Sequence, residues 1–247
     1  MRLARLLTPE GPVAGRCVDG TIVADDGRYE VGRDGRLLPP CDPSALYCVG
    51  RNYVETLEQM EYERPEEPDF FIIPPASLLA HEQSIRHPAW TDELTYAGEL
   101  VAVIDERCRA VKPDDVPDVV RGYTLLNDVD ALDQQGRTAR KAFDGSAPLG
   151  PWIETDVEPT NLSMETIVSG ERRQDANTEL MLFDPFEIVS YLSRRFTLEP
   201  GDCVAFGSPA NPGTIEPGDR VEITYEGVGT LVNDVIDPDG PPAAPRR

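Results

Sequence analysis

Lysine is almost absent from this sequence: only Lys112 and Lys141 occur among 247 residues. The other basic residues are therefore arginines, and 45 acidic against 23 basic residues leave a formal net charge of −22. Such a chain repels phosphate backbones, which excludes nucleic acid as an expected partner. Acids dispersed along a chain that has lost its lysines are typical of a salt-adapted protein. We therefore expect its stability to rise from dilute buffer to molar KCl.

Long apolar runs are also missing. No segment approaches the roughly 20 residues that a membrane-spanning helix needs. The first 15 residues, MRLARLLTPEGPVAG, lack a signal-peptide core before Pro9 and Pro12. The sequence predicts a cytoplasmic protein without a membrane partner.

Cysteine and histidine provide no recognisable metal motif. The five cysteines are scattered and contain no Cys-x-x-Cys pair, which favours reduced thiols over a disulfide framework or a zinc site. His81 and His87 are six residues apart and Pro88 follows them, so they do not match a zinc-binding helix. Surface or supporting roles are favoured for both histidines.

The pattern along the chain predicts a mostly β protein with few helices (α+β). Three Asp-Gly turns in residues 1–43 indicate a small N-terminal β appendage, and prolines at 39, 40 and 43 mark a linker. Residues 44–236 are predicted to form the main domain. The Pro-rich residues 237–247 are predicted to be a disordered tail.

Several elements of the main domain can be predicted individually. Segments 45–50, 99–105 and 121–127 are apolar and are expected to be buried strands. Asp184 followed by Pro185 predicts the start of a helix over 184–195. Short helices are expected at 54–63 and 129–141.

Three side chains stand out as candidates for chemistry. Glu99 opens one apolar strand and Asp128 follows another, and an acid at the end of a buried strand needs a partner, a proton or a metal ion. If the two acids converge, they offer an oxygen site for Mg²⁺ or Mn²⁺. Each acid alone is more simply explained as an exposed strand end. Lys141 lies in the densest motif, where a chemical role and a structural ion pair, with Asp144 for example, are equally compatible with the spacing.

Residues 45–236 resemble the fumarylacetoacetate hydrolase family. The motifs that carry the resemblance, in order, are YCVGRNY (47–53), ELVAVI (99–104), GYTLLNDV (122–129), KAFDGSAPLGPWI (141–153), SGERRQDANTELMLF (169–183) and TLEPGDCVAFGSP (197–209). The resemblance implies a β-roll that is usually dimeric. It also implies Mg²⁺-dependent hydrolysis, decarboxylation or tautomerisation of a small 2-oxo acid through an enolate.

Site residues follow from the resemblance by position. Glu99 and Asp128 would be ligands of Mg²⁺ (or Mn²⁺), and Lys141 would be the catalytic cation beside it. Asn52 and Tyr53, together with Gly207 and Ser208, would bind the substrate.

Six residues depart from the family's pattern. Ala97 replaces the first acid of Glu-x-Glu, and Thr56 and Gln59 replace a histidine and a glutamate of the acid/base pair. Ile73 replaces the lysine of Lys-Pro, Leu132 replaces an arginine, and Ser208 replaces a threonine. Two carboxylates hold Mg²⁺ less tightly than three. A missing base costs about 10²–10⁴ in rate.

Three hypotheses remain open. The chain is a working enzyme with a shifted base, for which Glu55, Glu58 or Glu61 would be candidates, although a solvated acidic face explains these residues as well. Alternatively, it is a degenerate member that binds a ligand or partner without turnover. The third hypothesis is a structural subunit that pairs with an active paralogue.

Overall fold

A computed structural model describes residues 1–59, 61, 63–210 and 213–238. The three α-helices in this part of the chain are Val54–Gln59 (α1), Arg137–Lys141 (α2) and Pro185–Arg195 (α3). Three short 3-10 helices lie at Pro75–Ser77, Pro113–Asp118 and Thr178–Leu180. Nearly all other regular structure is β, which confirms the predicted mostly β class.

The strands fall into an N-terminal group and a main group. The N-terminal strands are Arg2–Thr8 (β1), Gly11–Val18 (β2), Thr21–Val23 (β3), Arg28–Glu30 (β4) and Arg36–Leu37 (β5). The strands of the first half of the main group are Leu46–Gly50 (β6), Asp69–Ile73 (β7), Leu78–Ala80 (β8), Ile85–Arg86 (β9), Leu94–Thr95 (β10), Gly98–Ile104 (β11), Val120–Asn127 (β12) and Asp130–Ala131 (β13). The remaining strands are Ala147–Glu154 (β14), Ser163–Val168 (β15), Glu171–Asn177 (β16), Cys203–Ala205 (β17), Arg220–Tyr225 (β18) and Gly229–Ile236 (β19).

Two sheets enclose the main core. The larger sheet has the order β4-β3-β2-β1-β14-β12-β11-β17-β6-β7, and the second has the order β16-β15-β18-β19-β9. Strands β11, β12 and β14 of the first contact β18 and β19 of the second. Apolar side chains from both sheets fill the space between them, among them Leu100 and Ile104 of β11 and Ile223 and Tyr225 of β18.

Strand β11 is buried along its whole length, as its continuous apolar run predicts. Leu100, Ala102 and Ile104 face the core between the sheets, while Val101 and Val103 belong to a second apolar cluster on the opposite side. A strand covered on both faces is held in one register, because a slip by one residue would exchange its two sets of side chains. This rigid strand begins at the residues that carry the candidate site.

The predicted start of α3 is confirmed. The Asp184 side chain accepts a hydrogen bond from Glu187 N, and the Glu187 side chain accepts one from Asp184 N, which together form a capping box. Pro185 occupies the first turn, where a missing N–H is harmless.

Residues 1–43 are joined to the rest by strand pairing. Strand β1 is antiparallel to β14, with Arg2 opposite Glu154 and Leu3 opposite Ile153. The N-terminal strands therefore extend the larger sheet, and the boundary at residue 43 stays a prediction. Residues 239–247 of the predicted disordered tail lie outside the described residues.

The predicted helix at 129–141 is much shorter in the structure. Only Arg137–Lys141 is helical, because Asp130 and Ala131 pair with Thr95 and Leu94 as a small two-stranded sheet. Within the described residues, no helix has the length and apolarity required to cross a membrane.

Candidate active site

Neighbouring strands bring Glu99 and Asp128 together. Strands β11 and β12 are antiparallel, with Gly98 opposite Asn127, and Asp128 N donates to Ala97 O at 2.9 Å. Both carboxylates are only 3% exposed. Buried acids at this density are rare outside functional sites, so the convergence is the first sign of a chemical role.

Helix α2 places Lys141 on the same cluster. The Lys141 ammonium donates to Asp128 Oδ2 and lies 3.2 Å from Asp130 Oδ2. The ion pair considered from the sequence therefore exists, but Asp128 and Asp130 are its acids rather than Asp144. The Lys141 ammonium also lies 5.4 Å from the centroid of the Phe71 ring, which covers it on one side.

Burial governs the protonation of these groups. Burial, reinforced by the charge of Asp128, raises the pKa of Glu99 well above its usual value. Burial also raises the pKa of Asp128, although Lys141 opposes the shift. Burial alone would lower the pKa of Lys141, but the carboxylates of Asp128 and Asp130 raise it above the usual value. Lys141 therefore remains a cation at neutral pH, and Glu99 is the acid that holds a proton most readily.

Two arginines of α2 form an outer layer that the sequence analysis did not identify. Arg140 binds both oxygens of Asp130, with Nε–Oδ1 at 2.7 Å and Nη2–Oδ2 at 2.5 Å. Arg137 binds both oxygens of Asp69 at 3.0 and 2.8 Å. Such two-point pairs fix the guanidinium planes and hence the orientation of α2. The Arg-x-x-Arg-Lys spacing was the available signal, since it puts all three cations on one short helix.

Gly207 and Ser208 lie at the same cluster. Gly207 N donates to Glu99 Oε2 at 3.1 Å. Gly207 has a φ of +89°, and a Cβ there would lie 2.9 Å from Val49 O, so both the backbone angle and the available space require glycine. Gln174, another residue that the sequence analysis did not single out, donates from Nε2 to Ser208 Oγ at 2.9 Å and accepts from Gly98 N at 3.1 Å.

Asn52 and Tyr53 lie next to the segment that contains Gly207 and Ser208. The Asn52 amide donates to Phe183 O and Phe206 O and accepts from Phe183 N, at 2.9–3.0 Å. The Asn52 side chain thus ties the backbone of Phe183 to that of Phe206, the residue before Gly207. Tyr53 is 1% exposed, and burial raises the pKa of its hydroxyl. Substrate binding by these two residues stays a prediction.

The residues that depart from the family's pattern occupy distinct environments. Thr56 Oγ1 on α1 donates to Ser208 O at 3.0 Å, so this helix docks on the site through a hydroxyl where a histidine was expected. Ile73 is fully buried in the core, whereas Leu132 is 41% exposed. Ala97 lies beside Asp128 and brings no carboxylate.

The donor set fits a divalent cation held by two protein carboxylates. Asp128 Oδ1 is buried and has no hydrogen-bond partner within the described part of the chain, so one oxygen is available to a ligand. Those residues contain no group of three or more histidine, cysteine or acidic side chains placed to hold a metal. Mg²⁺ commonly binds through one or two carboxylates and completes its octahedron with water and substrate oxygens. Glu99 and Asp128 match that arrangement.

Comparison with known proteins gives the site its context. A family model described as "Fumarylacetoacetate (FAA) hydrolase C-terminal" matches residues 45–236. The structure of 5-carboxymethyl-2-hydroxymuconate delta-isomerase from Mycobacterium smegmatis is 36% identical, with a TM-score of 0.87 over 96% of this chain and 99% of that one. A maleylpyruvate hydrolase from a Sphingobium species, in complex with manganese(II) and pyruvate, is 27% identical, with a TM-score of 0.83 over 96% and 99% of the two chains.

A third relative performs two reactions. The 4-hydroxyphenylacetate degradation bifunctional isomerase/decarboxylase of Salmonella dublin is 34% identical over 228 residues, which are 89% of this chain and 52% of the relative. Isomerases, decarboxylases and hydrolases thus share this architecture. The chain belongs to the fumarylacetoacetate hydrolase family.

Proposed function

We propose that this protein is an enzyme that acts on a small 2-oxo acid through its enolate, with Mg²⁺ or Mn²⁺ held by Glu99 and Asp128. One observation carries the proposal: Glu99, Asp128 and Lys141 meet in one buried cluster beside Gly207. The relatives support the class of reaction, since they include an isomerase, an isomerase/decarboxylase and a hydrolase bound to pyruvate and manganese.

The charges of the cluster suit an enolate. A divalent cation, when bound, polarises the two oxygens of a 2-oxo acid and stabilises negative charge on them. The Lys141 ammonium adds a fixed positive charge and hydrogen-bond donors in surroundings that exclude water. Arg140 fixes the Asp130 carboxylate, and Asp130 pairs with Lys141. The ammonium is therefore oriented before substrate arrives.

The carboxylate end of a substrate would lie against Gly207 and Ser208. The Ser208 hydroxyl is oriented by Gln174, and its carbonyl is held by Thr56. A substrate that docks there places its reacting carbon near α1. The acidic residues Glu55 and Glu58 of this helix are the candidates to move a proton in place of the family's histidine and glutamate.

Calorimetric titration with Mn²⁺ tests the metal site. We expect binding that tightens when oxalate, an enolate mimic, is present. Asp128→Ala should abolish binding, whereas Asp105→Asn, which changes an exposed acid, should leave it unchanged. Absence of detectable metal binding to the folded wild-type protein would contradict the proposal.

Ala97→Glu provides a gain-of-function test. The new carboxylate would stand beside Asp128 and supply a third ligand, so we expect Mn²⁺ affinity to rise at least tenfold. Ala97→Gln is the matched control because it adds the same volume without the charge. Equal affinities of these two variants would show that the metal, if bound, lies elsewhere.

A second candidate is a family member that binds a ligand or partner without turnover. It is favoured by the residues at the expected acid/base and ligand positions, namely Thr56, Gln59 and Ala97. Assays of acylpyruvate and oxaloacetate turnover in high salt distinguish the two proposals. Turnover lost in both Lys141→Ala and Asp128→Ala supports the enzyme, and metal binding without turnover supports the alternative.

The remaining parts of the proposal concern the cellular setting. We infer a cytoplasmic homodimer with an acidic, salt-adapted surface. Sedimentation at several KCl concentrations measures the oligomeric state. Stability that fails to rise with KCl contradicts salt adaptation.

A further inference from the structure

The thiols of Cys41 and Cys203 form a close pair outside the candidate active site. Their sulfur atoms are 3.4 Å apart, although the residues are 162 positions apart in sequence. Cys41 lies in the linker after the N-terminal strands, and Cys203 is the first residue of β17. A disulfide needs the sulfurs to approach to about 2.05 Å, so the two sulfur atoms must move closer by about 1.4 Å. We propose that Cys41 and Cys203 are a modification site at which mild oxidation forms a reversible disulfide.

The backbone around the pair is held in place from both sides. Asp202 Oδ1 accepts hydrogen bonds from Ser44 N at 2.9 Å and Ala45 N at 3.0 Å. Cys203 N donates in turn to Ala45 O at 3.2 Å. The linker and the start of β17 are thus tied together next to the two thiols. These hydrogen bonds keep the two sulfur atoms in contact, so the Cys203 thiol lies next to Cys41 when Cys41 is oxidised.

Arg5 fixes the other end of the linker. Its guanidinium donates to Pro39 O at 3.3 Å and to Asp42 Oδ2 at 2.6 Å, so it spans Cys41 from one side to the other. The N-terminal strands therefore contribute directly to the position of Cys41. The cross-link would join these strands to the larger domain.

A cavity gives small molecules access to one of the two thiols. It has a volume of about 570 Å³, and its walls include Ala4 and Arg5 of β1, Cys41, Arg121 and Gly201. Cys41 lines this cavity, whereas Cys203 does not. The hydrogen bond with Cys41, followed by burial, holds the pKa of the Cys203 thiol well above its usual value. Cys41 is consequently the thiol that meets an oxidant first, and Cys203 is the resolving thiol.

The chemistry balances with a peroxide as oxidant. The Cys41 sulfur attacks hydrogen peroxide, the O–O bond breaks, and Cys41 becomes a sulfenic acid while one water is released. The Cys203 sulfur then attacks the Cys41 sulfur, the S–O bond breaks, and a second water leaves with the thiol proton. Two thiols lose two electrons to one peroxide, and a reducing thiol reverses the change.

The other cysteines provide controls. Cys48 faces the same apolar cluster, but β6 and β17 pair with Leu46 opposite Cys203 and Cys48 opposite Ala205. Cys17 lies on β2 in the N-terminal unit, and Cys108 belongs to the main core between the sheets. Cys17 and Cys108 therefore pack in apolar clusters other than the one that holds the pair, so their loss should not affect its oxidation.

Peroxide treatment of the full-length wild-type protein tests the proposal. We expect intact mass to fall by two hydrogens and the number of thiols titrated after denaturation to fall from five to three. Proteolytic mapping should recover one peptide pair joined through Cys41 and Cys203. Closing so long a loop restricts the unfolded chain, so oxidation should raise Tm by about 5–10 °C.

Variants assign the effect. Cys41→Ser and Cys203→Ser should abolish both the mass change and the Tm rise, while Cys17→Ser and Cys108→Ser should retain them. Dithiothreitol should restore five thiols and the original Tm. Proteolytic mapping is done on the wild-type protein, so this part of the test stays valid even if a cysteine variant fails to fold. Five thiols after treatment, a bond to Cys48, or a bond between two molecules would each overturn the proposal.

Discussion

Two turns with the same four residues, Glu-Pro-Gly-Asp, lie at 199–202 and 216–219 in different surroundings. Their internal geometry is alike: the Asp202 side chain accepts from Glu199 N at 2.9 Å, and the Asp219 side chain accepts from Glu216 N at 2.9 Å. Asp202 is fully buried, whereas Asp219 is partly exposed. The local sequence thus specifies the geometry of the turn, but it does not specify how much the turn aspartate contributes to the free energy of unfolding.

The difference lies in what the second carboxylate oxygen meets. Asp202 Oδ1 accepts from Ser44 N, Ser44 Oγ and Ala45 N at 2.7–3.0 Å, and these groups belong to the linker before β6. Asp219 Oδ1 accepts from Ser169 Oγ at 2.7 Å on the surface. A buried carboxylate with several donors anchors distant segments, while an exposed one competes with water.

Replacing the two aspartates gives the largest expected contrast. Asp202→Ala leaves the backbone donors of Ser44, Ala45 and Glu199 without their buried acceptor and should lower the free energy of unfolding by about 3 kcal/mol or more. Asp219→Ala should lower it by about 1 kcal/mol or less. Urea unfolding at neutral pH measures both. Equal losses would mean that burial does not separate the two turns.

Glu99 extends the comparison to a buried acid with fewer donors. Within the described part of the chain its carboxylate accepts a hydrogen bond from Gly207 N, and burial raises its pKa well above the unfolded value of about 4.3. Its contribution to stability is therefore full below about pH 4.3 and is lost as pH rises through the folded-state pKa. Glu99→Gln keeps the shape and cannot ionise, so its stability relative to wild type should grow with pH and exceed it by about 1 kcal/mol or more.

Urea unfolding between pH 5 and 9, with metal excluded by chelator, measures this effect. Glu171→Gln changes an exposed acid of β16, and its free energy of unfolding should show the same pH dependence as that of the wild type. If the free energy of unfolding of Glu99→Gln follows the same pH dependence as that of the wild type, the Glu99 carboxyl is ionised at no cost and the contrast with Asp202 is wrong.

The two turn glycines test the shared backbone geometry. Gly201 has a φ of +88° and Gly218 a φ of +102°, where an L side chain is strained. A Cβ at Gly201 would lie 3.4 Å from Asp42 O, whereas nothing lies within 4 Å at Gly218. Both alanine variants should lose about 1 kcal/mol, because the φ angle dominates and the added contact at Gly201 is ordinary. A much larger loss for Gly201→Ala in thermal unfolding would show that packing prevails there.

The serines provide the finest comparison. Ser44 and Ser169 are both exposed, and each donates at 2.7 Å to its turn aspartate. Ser44→Ala should cost about 1 kcal/mol because it weakens a buried carboxylate, and Ser169→Ala about 0.5 kcal/mol or less. Double variants with Asp202→Ala and Asp219→Ala measure each coupling energy. If the Ser44–Asp202 and Ser169–Asp219 coupling energies are equal, burial of the Asp202 oxygen does not strengthen its hydrogen bond with Ser44.

Local signals predicted much of the scaffold. The strands at β6, β11 and β12 were predicted from apolar runs, and the start of α3 from Asp184 and Pro185, because hydrophobic burial and helix capping act over a few residues. The prediction for 129–141 failed over most of its length. Pairing of Asp130 and Ala131 with a distant strand outweighed local helical preference there.

The site shows the same division. The types and order of Glu99, Asp128 and Lys141 were visible in the sequence. The partner of Lys141 was not, because Asp128 and Asp130 reach it through the β12–β13 connection rather than through helical spacing. The roles of Arg140 and Gln174 likewise depend on contacts across the fold.

The sequence by itself determined the turns, the capped helix, the buried strands and the chemical groups available to the site. Only the tertiary structure decided which acid is buried, which cation it meets and which two thiols touch. The physical reason is distance along the chain. Caps, turns and hydrophobic patterns are set by neighbours, whereas burial and charge pairing depend on segments that come together only when the sheets form.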